Sequence, residues 1–87
     1  MLDENVLLIA LQSRDIKAFK TLISYFSEDL TKYCIAKLRN FERGKLLVDD
    51  LLSKWLKEGF EDATSPLFKW MLVQVDVEIY RVQTAVN

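Results

Sequence analysis

SPLFKWMLVQVDVEIYRVQT, running from Ser65 to Thr84, carries the pattern on which the fold turns. Phe68, Met71, Leu72, Val75, Ile79 and Val82 recur mostly at intervals of three and four, which stacks side chains along one face of a helix. Ser65 reads as the N-cap and Pro66 as the first helical residue, where a missing N–H costs nothing. A second apolar stripe, Trp70, Val73, Val77 and Tyr80, follows a different side. From Pro66 to Asn87 the only charges are Lys69, Asp76, Glu78 and Arg81. A helix apolar on two sides is normally buried on two sides, which would make this one central to a small bundle. The alternative is an exposed strip that meets a partner chain.

Working outward, Leu47, Leu51, Leu52, Trp55 and Leu56 line one face of a helix expected from about Lys45 to Glu58, with Gly59 at its C′ position. Upstream, Phe19, Leu22, Ile23 and Phe26 form the stripe of a helix beginning near Asp15. Ser27, followed by Glu28 and Asp29, reads as a fresh N-cap, so a kink and restart are expected there. Leu30, Tyr33, Cys34, Lys37 and Leu38 then continue to about Arg39. A short first helix spans roughly Asp3 to Gln12, with Asp3 as its cap. The two glycines and one proline all fall among polar residues and mark loops at Gly44, Gly59 and Pro66. The expectation is an all-α, compact four-to-five-helix bundle, a single domain over residues 1–87.

At 87 residues the chain supports one modest core, burying about 64% of the surface of its extended form. It has no histidine, which removes the commonest general base and transition-metal ligand. Cys34 is the single cysteine, so neither an internal disulfide nor a cysteine-based zinc site is available. Asp49-Asp50 and Glu61-Asp62 are paired acids, but neighbours on a helix point about 100° apart and do not chelate alone. No enzyme activity, cofactor or metal is expected. No apolar run reaches the about 18 residues of a membrane span, and MLDENVLLIALQSR places acids before its apolar run, unlike a secretory signal. A cytoplasmic location is expected. The net charge of −1 argues against a dedicated nucleic-acid binder. Charge is nevertheless uneven: residues 14–45 carry a net +4 and residues 46–87 a net −3. The basic half reads either as a solvated helix face or as a surface that tracks phosphates.

RDIKAFKTLISYFSEDLTKYC resembles the opening of region two, the core-binding region, of bacterial RNA polymerase sigma factors of the extracytoplasmic-function type. The landmarks are Asp15, Ala18, Phe19, Leu22, Tyr25, Leu30 and Tyr33. VDDLLSKWLKEGF is similar to the family's Asp-Leu-Val-Gln helix, matched here by Asp50, Leu51 and Leu52, with Ser53 at the glutamine position. SPLFKWML resembles the start of the promoter-facing helix, with Phe68, Trp70 and Leu72 as landmarks, although Met71 stands where the family's tryptophan is usual. The succession of three pieces covers residues 10 to about 82.

The resemblance implies a non-catalytic transcription protein whose Asp50, Leu51, Leu52 and Ser53 dock on the clamp coiled coil of the largest subunit of core RNA polymerase. It also implies that Phe68, Lys69, Trp70 and Arg81 lie near promoter DNA, with loop 60–66 holding a flipped base. Asp76 and Glu78 stand where the family carries a basic run, and carboxylates repel a phosphate backbone. The alternative is a protein–protein interaction module, such as an adaptor, co-sigma, inhibitor or homodimer, that uses Val73, Val77 and Tyr80 without binding DNA. Its partner would be a second copy or a sigma-type protein. A third reading is an unrelated helical bundle with a structural role.

Overall fold

The computed structural model describes residues 2–85, the side chains through Gln83. Four helices are present and no strand among the described residues: α1 (Glu4–Gln12), α2 (Ile16–Leu38), α3 (Phe41–Glu58) and α4 (Leu67–Ala85). Three of them start on the side chains that sequence chemistry favours. The Asp3 carboxylate accepts from the N–H groups of Asn5 and Val6, Asp15 accepts from Lys17 and Asn40 accepts from Arg43.

α2 is one unbroken helix of 23 residues, so the restart expected at Ser27 does not occur. Thr31 Oγ1 donates to the Ser27 carbonyl at 2.6 Å, which holds the hydroxyl of the following turn inside the helix. Leu22, Leu30 and Cys34, each at most 1% exposed, bury both halves of α2 on the same core. That burial outweighs a favourable cap for which the helix would have to break. α2 packs against α1, α3 and α4, and it is therefore the central helix. α4 is not, so of the two readings of its stripes the central-helix one fails.

α3 starts four residues earlier than expected, at Phe41, because Asn40 caps it directly after the left-handed Arg39. Gly44 consequently lies inside a helix and not in a loop. It faces α2 so closely that a Cβ there would sit 2.7 Å from both the Cα and the N of Ile35. At the far end, Gly59 takes φ 89° and donates its N–H to the Trp55 carbonyl. Arg14, also left-handed, reaches across from the α1–α2 turn. Its guanidinium donates to the carbonyls of Lys57 and Glu58 at 3.2 and 2.9 Å, satisfying two carbonyls that α3 leaves without intrahelical partners.

The first residue of α4 is Leu67, not Pro66, whose carbonyl accepts the first turn's bond from Trp70. The Leu67 N–H donates to the Glu4 carboxylate of α1, so a side chain 63 residues away does what Ser65 was expected to do. The core is continuous through Leu7, Leu11, Phe19, Leu22, Leu30, Leu47, Val48, Leu51, Trp55, Leu67, Met71 and Val75. Phe60 and Ala63 plug it from the loop before α4. Two expected core positions face outward: Leu56 is 51% exposed and Val82 53%. The molecule measures 40 × 22 × 19 Å and exposes 6,172 Å², against about 5,300 Å² for a compact chain of this mass.

Candidate docking surfaces

On α4 the two apolar stripes have different fates. Leu67, Met71 and Val75 are fully buried, and Phe68, Leu72 and Ile79 pack at the edge of the core. On the opposite side Val73, Val77 and Tyr80 are 50%, 49% and 69% exposed. Their 3–4 spacing aligns them on one strip of helix about ten ångströms long, roughly two turns. Trp70, the first residue of that stripe, turns inward at its edge and packs against Trp55 and Phe60, with ring centroids 5.5 and 5.8 Å apart.

Asp76 lies beside this strip and ties α4 to α2. The Tyr33 hydroxyl donates to its Oδ1 at 2.8 Å, Lys37 Nζ stands 3.9 Å from the same oxygen, and the ammonium also sits 5.3 Å from the Tyr33 ring centroid. Burial and the Asp76 carboxylate both raise the Tyr33 pKa, with Lys37 opposing them. Burial pushes the neighbouring Cys34 thiol up to about 11, and Asp76 adds to that shift. Both groups hold their protons more tightly when folded, so stability falls as pH rises past their unfolded values. We expect the urea midpoint to decline between pH 9 and 11, the thiol's window. Cys34→Ala should flatten this decline and Tyr33→Phe should remove the part at higher pH. A midpoint constant over that range would refute the shielding of both groups.

Among the residues matched to the polymerase-docking motif, Asp50 and Ser53 are exposed, Leu52 is half-buried and Leu51 is 3% exposed in the core. Leu51 is thereby excluded from any contact surface. The DNA-facing set is also divided. Phe68 stacks on Phe26 at 5.7 Å and Trp70 is held by the aromatic cluster, while Lys69 and Arg81 are both exposed, Arg81 in an ion pair with Glu78 at 3.3 Å. In loop 60–66 Phe60 is committed to the core, with its ring near those of Phe19, Trp55 and Trp70. The groove beside this loop is lined by Glu58, Glu61 and Asp62 together with Lys54. Three carboxylates against one ammonium repel a phosphate.

Sequence reading missed three features of this surface. The Tyr33–Asp76 bond joins residues 43 apart and leaves no local signal. Phe41 and Leu46, 64% and 61% exposed, stand out on α3 near the α2–α3 turn, and a helix begun at Lys45 hides this. Gly44, read as a loop marker, instead brings α3 onto α2. Among the described residues no helix is long and apolar enough to cross a membrane, and no group of three or more His, Cys, Asp or Glu is placed to hold a metal ion. No protein-family model, curated protein or solved structure matches the chain.

Proposed function

We propose that this protein is a non-catalytic helical docking domain that acts by binding another protein through the outer face of α4. The carrying observation is the exposure of Val73, Val77 and Tyr80 along one strip of a helix whose opposite side is fully buried. Solvent-facing positions on a monomeric helix are ordinarily polar, and a row of apolar residues there is stabilised when a partner covers it. A short strip supports an anchor in a partner's pocket better than a large symmetric dimer, which needs about 800 Å² from each chain. A photo-crosslinking residue at Val73 tests this in cells of the source. A discrete crosslinked heterologous protein supports the reading, and crosslinking only within the chain refutes it.

A second reading keeps the transcription role. Asp50 and Ser53 of the sigma-like motif are exposed on α3, which favours docking on the polymerase clamp in the cytoplasm. Core RNA polymerase should then capture the purified domain, and Asp50→Arg should abolish capture. No capture at about micromolar protein, a level at which binding worth about 8 kcal/mol is seen, would remove this reading. Promoter contact through Phe68, Lys69, Trp70 and Arg81 forms no part of either proposal, since two of those side chains are engaged in aromatic packing and a third is paired with Glu78.

A further inference from the structure

A groove of about 610 Å³ opens where the α2–α3 hairpin meets the end of α4, away from the Val73–Val77–Tyr80 strip. All three helices build its floor: Leu38 from α2, Leu46 and Leu47 from α3, Ile79 and Val82 from α4. Leu46 and Val82 remain 61% and 53% exposed, so the floor is open to an incoming apolar group. Arg43 and Lys37, the latter also 3.9 Å from Asp76, stand on its lip, with Asp50 as the carboxylate among the lining residues. The lining itself carries two cations against one carboxylate.

We propose that this groove binds an acidic amphipathic helix of another protein. The proposal rests on the reading of the chain as a docking domain but uses a different surface from the outer face of α4. Apolar anchors at i, i+3 or i+4 and i+7 of the incoming helix enter the floor, the mode by which helices fill apolar grooves. Carboxylates flanking those anchors meet Lys37 and Arg43, which steers the encounter and fixes orientation. Charge complementarity selects this occupant over the others. A phosphate backbone satisfies the lip but has nothing to place on five aliphatic side chains. An anionic membrane is flat and leaves a concave floor unfilled. A basic helix meets two cations at the lip.

The probe is a fluorescein-labelled helical peptide of about 16 residues with leucines on that spacing and glutamates beside them. A second peptide carries lysine in place of each glutamate. Anisotropy should show saturable binding of the acidic peptide, about tenfold tighter than the basic one and weakened by salt. Arg43→Glu and Leu46→Asp should each weaken it about tenfold, while Asp50→Arg should tighten it severalfold. All three residues are exposed, and circular dichroism checks that each variant keeps its helices. Val77→Asp, on the other surface, should leave the affinity for the acidic peptide unchanged. Asp50→Arg also separates the groove from the polymerase reading, for which the same change abolishes binding. Failure to saturate by about 100 µM would overturn the proposal. So would equal affinity for the two peptides, or tighter binding of oligothymidylate or phosphatidylserine vesicles. Loss of binding with Val77→Asp but not Leu46→Asp would also overturn it, while leaving the α4 docking face in place.

Discussion

Gly44→Ala is expected to lower the thermal midpoint by about 10 °C or more, the opposite of what alanine does in an ordinary helix. On propensity alone alanine gains about 1 kcal/mol over glycine in a helix interior. At this position the added methyl would lie 2.5 Å from Ile35 Cγ1 and 2.7 Å from the Ile35 Cα and N. Cγ1 can move by a change of rotamer, but the backbone atoms of a central helix cannot. α3 must therefore back away from α2 along their contact, loosening Leu47, Val48 and Leu51 in the core they share with Leu30 and Cys34. Overpacking of a close-packed interior costs about 1–3 kcal/mol and occasionally more, and here a rigid neighbour favours the upper end. The net loss is about 2 kcal/mol after the propensity gain. Because the obstruction is backbone, Ile35→Ala in the same molecule should not restore stability. A rise in midpoint for Gly44→Ala, or full rescue by Ile35→Ala, would show that the two helices are further apart than described.

Gly44 also shows where sequence reading reached and where it stopped. Features set by a few neighbouring residues were legible. Asp3 caps its helix because a carboxylate one residue ahead of an apolar stripe has the free N–H groups within reach. Gly59 closes α3 because only glycine enters its backbone conformation without strain. The helical class followed from spacing alone. Features set by distant residues were not legible. A glycine in a polar stretch looks the same whether it breaks a helix or lets another helix approach, and only Ile35 across the interface distinguishes the two. Ser27 has every local attribute of a cap, yet burial of Leu22 and Leu30 on one continuous face decides for an unbroken helix. Asp76, read as a charge that repels DNA, is also the acceptor of the Tyr33 hydroxyl. The candidate surfaces divide in the same way. The Val73–Val77–Tyr80 stripe is visible as periodicity, but whether it is covered depends on which helix is central. That place went to α2, whose 23 residues let it touch all three others. The groove over Leu46 and Val82 is built from three helices and exists only once they are assembled.

The sharpest consequence concerns two valines two residues apart on α4. Val75→Asp is expected to unfold the protein, whereas Val77→Asp is expected to leave its stability within about 0.5 kcal/mol and to abolish partner capture. Val75 is 0% exposed and is enclosed by the core. A carboxylate there either stays charged without a partner or takes a proton, and either course costs several kcal/mol. A domain of this size has only roughly 4–13 kcal/mol to lose. Val77 is 49% exposed, so an aspartate there keeps its water and the helix keeps its register. On the partner's side the consequences reverse. Covering Val77 with an apolar pocket would strand the new carboxylate, and truncating an interface anchor commonly costs about 2 kcal/mol or more. Capture should therefore fall by about thirtyfold or more. Paired thermal melts and crosslinking yields read both effects on the same preparations. If Val77→Asp unfolds the chain, the outer stripe is structural and the docking reading of α4 fails. If it folds and still captures its partner unchanged, the contact lies elsewhere. The two positions differ by only two residues, so composition and helix propensity are matched, and the difference between them isolates which side of α4 faces the partner.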